Sequence, residues 1–435
     1  MTTDLRAAGD ACWHSYSSAD WGRAIETCKA TAVAPDAIYI ATQGVVGNVT
    51  ALKTREGLVV FDTGGVGSAQ LIYDTLRAWE QSPIHTVIFT HGHGDHVRGA
   101  PLFEAEAKKR GEPPIRFVGH ARMPQRFDRY TLTADFVARV NARQFGQPVR
   151  KAPPDWRYPD LTYDDRLTLE IGGLTFELHH GLGETDDHTW TFIPQRKLLV
   201  SGDFVIWAAP NAGNPQKVQR YSNTWAKALR DMAACGAEVL VPGHGPAVFG
   251  ADRVAQILAD AAEFLETIHN QTVALMNEGK SLDEIVQAVK VPQELLSRPY
   301  LQPTYDDPEF LIRNIWRLYG GWWNGDPADL KPAPAAALAR ELAALAGGAG
   351  RLAARASELA RSGDLRLAGH LAEFAVQADP ANEQAHRVRM EVNRLRVAGE
   401  RTTMAKGIFG TAARESHAVV DPEGAKLAPR PMLGL

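Results

Sequence analysis

Between Ala37 and Gly245 the apolar residues come in short runs, punctuated by glycine and separated by stretches of helical spacing. AIYIATQGVVGNVTALKT followed by GLVVFDTGG predicts a series of short strands rich in Val and Thr. AQLIYDTLRAWEQS has helical apolar spacing, with Leu71, Leu76 and Trp79 among its repeats. HTVIFT is short, apolar and β-branched, so it predicts a strand that runs directly into HGHGDHVRGA. RLTLEIGGLTFELHH predicts a hairpin turning at Gly172 and Gly173. TWTFIP, KLLVSGDFV and AEVLVPGHGPAV predict three more strands, the last ending in a loop.

After about Asp252 the texture turns helical. ADRVAQILADAAEFLETIHNQTVALMNEG predicts one long amphipathic helix stopped by glycine, and Ser281 starts another that reaches Val291. In DDPEFLIRNIWRLYGGWWNGDPADLKP the residues Trp316, Tyr319, Trp322 and Trp323 cluster, and core packing is the expected fate of such aromatics. Lys331 to Pro334 is a short linker. From Ala335 to about Ala413 the chain is rich in Ala, Leu, Arg and Glu, and part of it reads as a tetratricopeptide-like helix pair. One such unit cannot bury both faces, so it packs on the rest of the chain or on a second subunit. The expected boundaries are an N-terminal extension over 1–36, an α/β domain over 37–250, a helical connection over 251–334, an α-helical domain over 335–414 and a flexible tail over 415–435.

The chain has 435 residues, 45% of them hydrophobic and 23% charged, as in a globular protein of two or three domains. A net charge of −4 gives no broad basic field, so no nucleic-acid partner is expected and anion recognition must be local. No run of about 18 apolar residues is present, which predicts no membrane span. The N-terminus lacks the basic and apolar order of a signal peptide. Three scattered cysteines (Cys12, Cys28 and Cys235) form no disulfide framework, so a cytoplasmic location is expected.

The strongest chemical signal is His91-Gly92-His93-Gly94-Asp95-His96, four ligand-type residues in six positions directly after a strand. Imidazole nitrogens and carboxylate oxygens are what zinc and similar ions favour, and the glycines allow a tight loop. One loop cannot complete two coordination shells. Glu184 in GLGETDDHTW, Asp203 in SGDFV and His244 in VPGHGPA each follow a strand-like stretch and are the expected partners.

H-x-H-x-D-H followed by S-G-D and a late P-G-H-G resembles the metallo-β-lactamase fold superfamily over about Ala37 to Gly245. The resemblance implies an α/β fold, a four-layer αββα sandwich. It also implies that His91 and His93 bind a first metal, that Asp95, His96 and His244 bind a second, and that Asp203 bridges them. Asp62 of VVFDTGG would support the site from beneath. The third ligand of the first metal is usually a histidine in G-H-T. Here it is Glu184 in G-E-T, as in the alkylsulfatase branch, with His188 as the competing ligand. His179 and His180 are expected to be structural or to support the ligands from behind. NIWRLYGGWWNGDPADLKP and the helices after it, from about Ser281 to Arg414, resemble the alkylsulfatase dimerisation domain, which implies a homodimer. The chain departs from that branch in having Asp203 where glutamate is usual, and in lacking the threonine-arginine-glycine-alanine stretch after it.

The implied cofactor is a pair of divalent ions, zinc first, with manganese and iron compatible. Two such ions against Asp95, Glu184, Asp203 and one hydroxide sum to zero charge, and hydroxide on the metal is the implied nucleophile, with Asp95 and Asp203 at the reacting centre. Asn211, Asn214, Lys217, Arg220 and Tyr221, with Asn48 of GNVT, offer donors for a substrate oxyanion. The leading expectation is hydrolysis of a sulfate ester of an alkyl or apolar alcohol. Hydrolysis of a lactone, carboxylic ester, thioester or phosphoester is the alternative, because fold and metals do not choose the substrate. A non-catalytic metal-binding scaffold is the third reading.

Overall fold

The computed structural model describes residues 5–15, 28–41, 47–151 and 154–427. The described residues up to 134 and over 154–321 form one compact unit, and those over 135–151 and 322–427 form a second.

Two sheets form the first unit. Among the described residues, the first sheet runs in chain order through β1 (Lys29–Ala34), β2 (Ala37–Ala41), β3 (Val49–Thr54), β4 (Gly57–Phe61), β5 (Ile84–Ile88), β6 (Arg116–His120) and β7 (Leu161–Tyr163). β1 to β4 pair antiparallel and β4 to β7 parallel. The second sheet runs through β8 (Arg166–Ile171), β9 (Leu174–Gly181), β10 (His188–Ile193), β11 (Leu198–Gly202), β12 (Val239–Pro242) and β13 (Val248–Phe249). Its one parallel pair is β11 with β12, and Gly172-Gly173 makes the β8–β9 hairpin turn.

Strand alternation sorts the apolar residues into layers. Leu52, Val59 and Phe61 of the first sheet share a core with Phe176, Leu178 and Leu199 of the second. The rings of Phe61 and Phe176 lie 6.2 Å apart across that interface. The intervening Ala51, Leu58 and Val60 face outward onto Ile72, Leu76 and Phe103 from the helices Ala69–Trp79 and Ala100–Lys109. Trp225, Leu258 and Leu265, from the helices Ser222–Ala234 and Ala251–Asn277, cover the other sheet. The result is the four-layer αββα sandwich. Each large side chain buried this way contributes about 1.5–3 kcal/mol. Leu71 falls outside this scheme and is exposed, because the helix buries Ile72, Tyr73 and Leu76 instead.

Three sequence-based expectations need correction. The 1–36 extension contains a helix, Leu5–Ser15, and the edge strand β1, whose one buried residue, Val33, gives too weak a pattern to read. The tail expected to be flexible from 415 is helical through Thr403–Val420 and Pro422–Leu427, started by the Thr402 side chain accepting from Ala405 N at 3.3 Å; residues 428–435 lie outside the described residues. The aromatic cluster divides: Trp316 packs on the core, whereas Tyr319 is 54% exposed and Trp322 70%. The helix Pro308–Gly320 turns Leu311, Ile312 and Ile315 inward and stops at Gly321, so the later aromatics run past the buried face.

The second unit is all-helical, with Ala335–Ala346, Ala349–Arg361, Leu365–Ala378, Glu383–Gly399 and Thr403–Val420 as its main elements. Small buried residues (Ala353, Ala356, Ala368, Ala372, Ala375 and Ala385) let these helices approach closely. No helix among the described residues is long and apolar enough to cross a membrane.

The sandwich also carries a pH dependence. His120 and His180 stack at 3.7 Å, and burial together with His120 pushes His180 down to about 4. The folded state therefore keeps this ring neutral, while the unfolded chain protonates it once pH falls below its ordinary 6.5. Stability is lost as pH drops from there toward about 4. His180→Phe should flatten the decline of the thermal midpoint across that window; a slope equal to that of the unmodified chain would remove His180 from the account.

Candidate metal centre

The site residues sit at one edge, where the parallel strands end and side chains from different loops converge. β5 delivers Thr90 and His91, and the short helix Gly94–Val97, begun by His93, turns Asp95 and His96 back toward them. Gly92 is needed in this turn, because a Cβ there would press on Arg126 and Asp187. Its N–H instead donates to Asp187 Oδ2 at 2.9 Å, while Asp187 Oδ1 accepts from Arg126 Nε at 2.8 Å. The β9–β10 turn brings Glu184, the end of β11 brings Asp203, and the end of β12 brings His244.

Two ligand groups result. His91, His93, Glu184 and Asp203 offer atoms within 4.8 Å of one another, and so do Asp95, His96 and His244. Asp203 reaches both. Its Oδ2 lies 3.6 Å from His91 Nε2 and 3.5 Å from His244 Nε2, and its Oδ1 lies 3.3 Å from His96 Nε2. Asp95 Oδ2 is 3.4 Å from His244 Nε2, and Glu184 Oε2 is 3.5 Å from His93 Nδ1. Neighbouring ligands on a tetrahedral ion with bonds of roughly 2 Å stand about 3.3 Å apart, so these spacings fit metal ions.

The charges fit as well. Burial works against ionising Asp95, yet His96 and His244 hold it down at about 2. Burial likewise opposes a charge on Asp203, and His244, His96 and His91 hold it well below the carboxylate range. The same carboxylates lift His244 to about 10 and His96 well above its ordinary value, both against burial. Burial and the neighbouring His96 hold His91 neutral. A cluster that pulls protons onto buried imidazoles is short of positive charge, and divalent ions supply it.

A supporting layer fixes these atoms. Asp62, at a left-handed φ of 62°, accepts from Thr90 N and Oγ1, both at 2.7 Å, and bonds His96 Nδ1 at 2.8 Å. That bond leaves His96 Nε2 pointing at the centre. His188 lies beside the cluster: its ring stacks on His91 at 4.4 Å, and its Nε2 accepts from Asp203 N at 3.1 Å. Burial pushes it down to about 3, consistent with a neutral acceptor. Gly243 is required as well, since a Cβ there would overlap Asp203 Oδ1.

Comparison with known proteins matches residues 42–244 to the metallo-beta-lactamase superfamily and residues 281–418 to alkyl sulfatase dimerisation. The two matched stretches follow one another in that order along the chain. The linear primary-alkylsulfatase of Pseudomonas sp. (strain ATCC 19151) is 28% identical over 361 residues, covering 78% of this chain and 68% of that protein. An (R)-specific secondary-alkylsulfatase of Pseudomonas sp. is 28% identical over 367 residues, covering 78% and 55%. The alkyl/aryl-sulfatase of Saccharomyces cerevisiae (strain ATCC 204508 / S288c) is 26% identical, covering 78% and 56%. The chain thus spans between about half and two thirds of the length of these relatives. Its fold is like that of the stereoselective inverting sec-alkylsulfatase Pisa1 from Pseudomonas sp., with a TM-score of 0.82 at 22% identity, covering 96% of this chain and 71% of that one.

Within the stretch matched to the metallo-beta-lactamase superfamily, several residues expected to bind substrate make bonds inside the fold. Asn48 Nδ2 donates to Pro242 O at 2.9 Å and Gly245 O at 2.8 Å, so it pins the His244 loop. Asn211 Nδ2 and Arg220 NH1 both donate to Glu184 Oε1, the latter at 3.1 Å. Asn214 Oδ1 accepts from Gln216 N at 3.0 Å within its own turn. Tyr221 precedes the helix Ser222–Ala234, and its carbonyl accepts from Trp225 N at 3.0 Å. His179 stacks on Trp190 at 4.0 Å, the structural place expected of it. Three neighbours of the site escaped the sequence reading: Asp187, Arg126 and Tyr305. Burial and the adjacent Glu184 keep the Tyr305 phenol protonated, well above its ordinary 10. Asp187 lies three residues after Glu184 in a run of ligand-type residues, which was a usable signal; Tyr305 had none.

Glu184→Ala should lower bound zinc, measured by elemental analysis, more than His188→Ala does. The reverse order would hand the ligand position to His188.

Proposed function

We propose that this chain is a dinuclear metallohydrolase that cleaves sulfate esters of alkyl or other apolar alcohols. His91, His93, Glu184 and Asp203 would hold one ion, and Asp95, His96, His244 and Asp203 the other. Four imidazoles and three carboxylates suit zinc best. Such ions supply Lewis acidity and a water acidified to near neutral pH.

The observation that carries the reading is a glutamate-containing ligand set with cations beside it, in a chain whose relatives are named alkylsulfatases. Lys217 is pushed down to about 8 by burial and by Arg220, and held up by Glu184 and Asp95. Its ammonium therefore stands within electrostatic range of the cluster, as recognition of a substrate oxyanion requires. Tyr305 adds a protonated phenol in the same field. Asp62, Asp187, Asn48 and His188 orient the ligands, so that little reorganisation is needed when substrate arrives.

The match of residues 281–418 to alkyl sulfatase dimerisation supports a homodimer. No disulfide joins cysteines among the described residues, which fits a reducing, cytoplasmic setting.

Turnover should be measured on chain of known metal content with a medium-chain alkyl sulfate, an aryl sulfate, a carboxylic ester, a lactone and a phosphodiester. The alkyl sulfate is expected to be hydrolysed fastest. Silence on both sulfates with turnover of an ester or lactone would overturn the substrate class and leave the metal site standing. Sedimentation of the same material should give twice the 47.5 kDa chain mass, and a monomer at micromolar concentration would refute the dimer.

A further inference from the structure

The donors around Glu184 point to a role that the ligand set alone does not contain. Glu184 Oε1 accepts from both Asn211 Nδ2 and Arg220 NH1, while Oε2 faces His93 Nδ1 at 3.5 Å. Both side chains of the ion pair are almost wholly buried, at 4% and 6% exposure. Arg220 NH1 also donates to the Asn211 carbonyl, which ties the two clamping residues together. Their loop is held from behind by the helix Pro308–Gly320. Asn314 Nδ2 donates to Ala212 O at 2.7 Å and to Arg220 O at 2.9 Å, and Arg317 NH2 donates to Asn314 Oδ1 at 2.8 Å. Asp306 Oδ2, just before that helix, accepts from Gly213 N at 2.6 Å.

Resting on the reading that this cluster holds two metal ions, we propose that Arg220, with Asn211, is a positioning residue for the first ion: it clamps Oε1 of Glu184, leaves Oε2 as the single ligand oxygen, and offsets the negative charge this glutamate brings. Two physical arguments support it. A carboxylate free to rotate presents one oxygen or two, and a four-coordinate zinc site is best served by one. A glutamate in place of histidine also makes the ligand set one unit more negative, and a buried guanidinium a hydrogen bond away returns that unit. Asn314 supports the clamp through the Arg220 carbonyl. The helix that carries it lies inside the region matched to dimerisation, so this stretch serves the metal centre.

The test is zinc binding to the full chain stripped of metal, titrated against a chelating indicator, with stoichiometry by elemental analysis. The unmodified chain should bind two Zn2+. Arg220→Gln should weaken one of them by about 10–100-fold and leave the other unchanged, the range expected for loss of an outer partner of a ligand. Arg220→Lys should restore part of the loss, and Asn314→Ala should reproduce it in weaker form without changing sedimentation. In a Glu184→His background there is no carboxylate to clamp, so adding Arg220→Gln should have no further effect on affinity. The proposal is overturned if Arg220→Gln binds both ions as the unmodified chain does, if both ions weaken together with a fall in metal-free thermal stability, or if the loss persists undiminished beside Glu184→His. An unmodified chain that binds no zinc would instead sink the metal reading, and the clamp with it.

Discussion

Three carboxylates among four imidazoles, with Glu184 and Asp203 buried and Asp95 partly so, set the terms for the whole catalytic unit. Isolated charges in such a place cost several kcal/mol each, so every one of them needs a fixed partner. The partners come from strand ends in both sheets, and the sheets must therefore dock in one register. Backbone bonds across the interface enforce it: Thr189 N donates to Thr90 O at 2.7 Å, and Asn48 N donates to Gly243 O at 2.7 Å. The first lies beside His91 and the second beside His244. The bonds that hold the sandwich together are thus the ones that place the ligands, and the left-handed Asp62 is tolerated at the point where they converge.

What was legible in the sequence was local. H-x-H-x-D-H is visible because four ligands share one turn, and most strands of both sheets are visible as short apolar runs punctuated by glycine, whereas β6 and β7 went unread. β1 was missed because an edge strand with one buried residue has almost no pattern. Asn48, Asn211 and Arg220 were recognised as donors near the metals, but their targets were not. A donor's partner is a long-range contact, and here the partners lie 194, 27 and 36 residues away in the chain. Tyr305 was invisible for the same reason. It precedes a helix in the C-terminal half and reaches the site only after folding.

The aromatic run around Trp316 shows the converse limit. The clustering implied burial, but it did not say where the helix that carries these residues would end. Gly321, at a φ of 81°, stops it, so Trp322 lies beyond the helix and outside the core. The matched dimerisation region likewise begins at 281, whereas the compact catalytic unit runs to Gly321. Sequence families divide a chain by what recurs together, and packing divides it by what is buried together; between 281 and 321 the two divisions disagree.

That disagreement bears on specificity. The segment after Asp203 carries more polar donors than a solvated loop needs, and the expectation was that they would grip a substrate. Folding turns Asn211 and Arg220 inward toward Glu184, and Asn214 closes a local turn. Buried donors spent this way cannot also bind an oxyanion without leaving a carboxylate unsatisfied, and breaking a buried charged bond is far costlier than forgoing an exposed one. The charge of Lys217 and the protonated phenol of Tyr305 act on the same cluster. One comes from the loop after β11 and the other from the stretch just before the helix that braces that loop. The electrostatic surroundings of the cluster are thereby tied to the same scaffold that places its ligands.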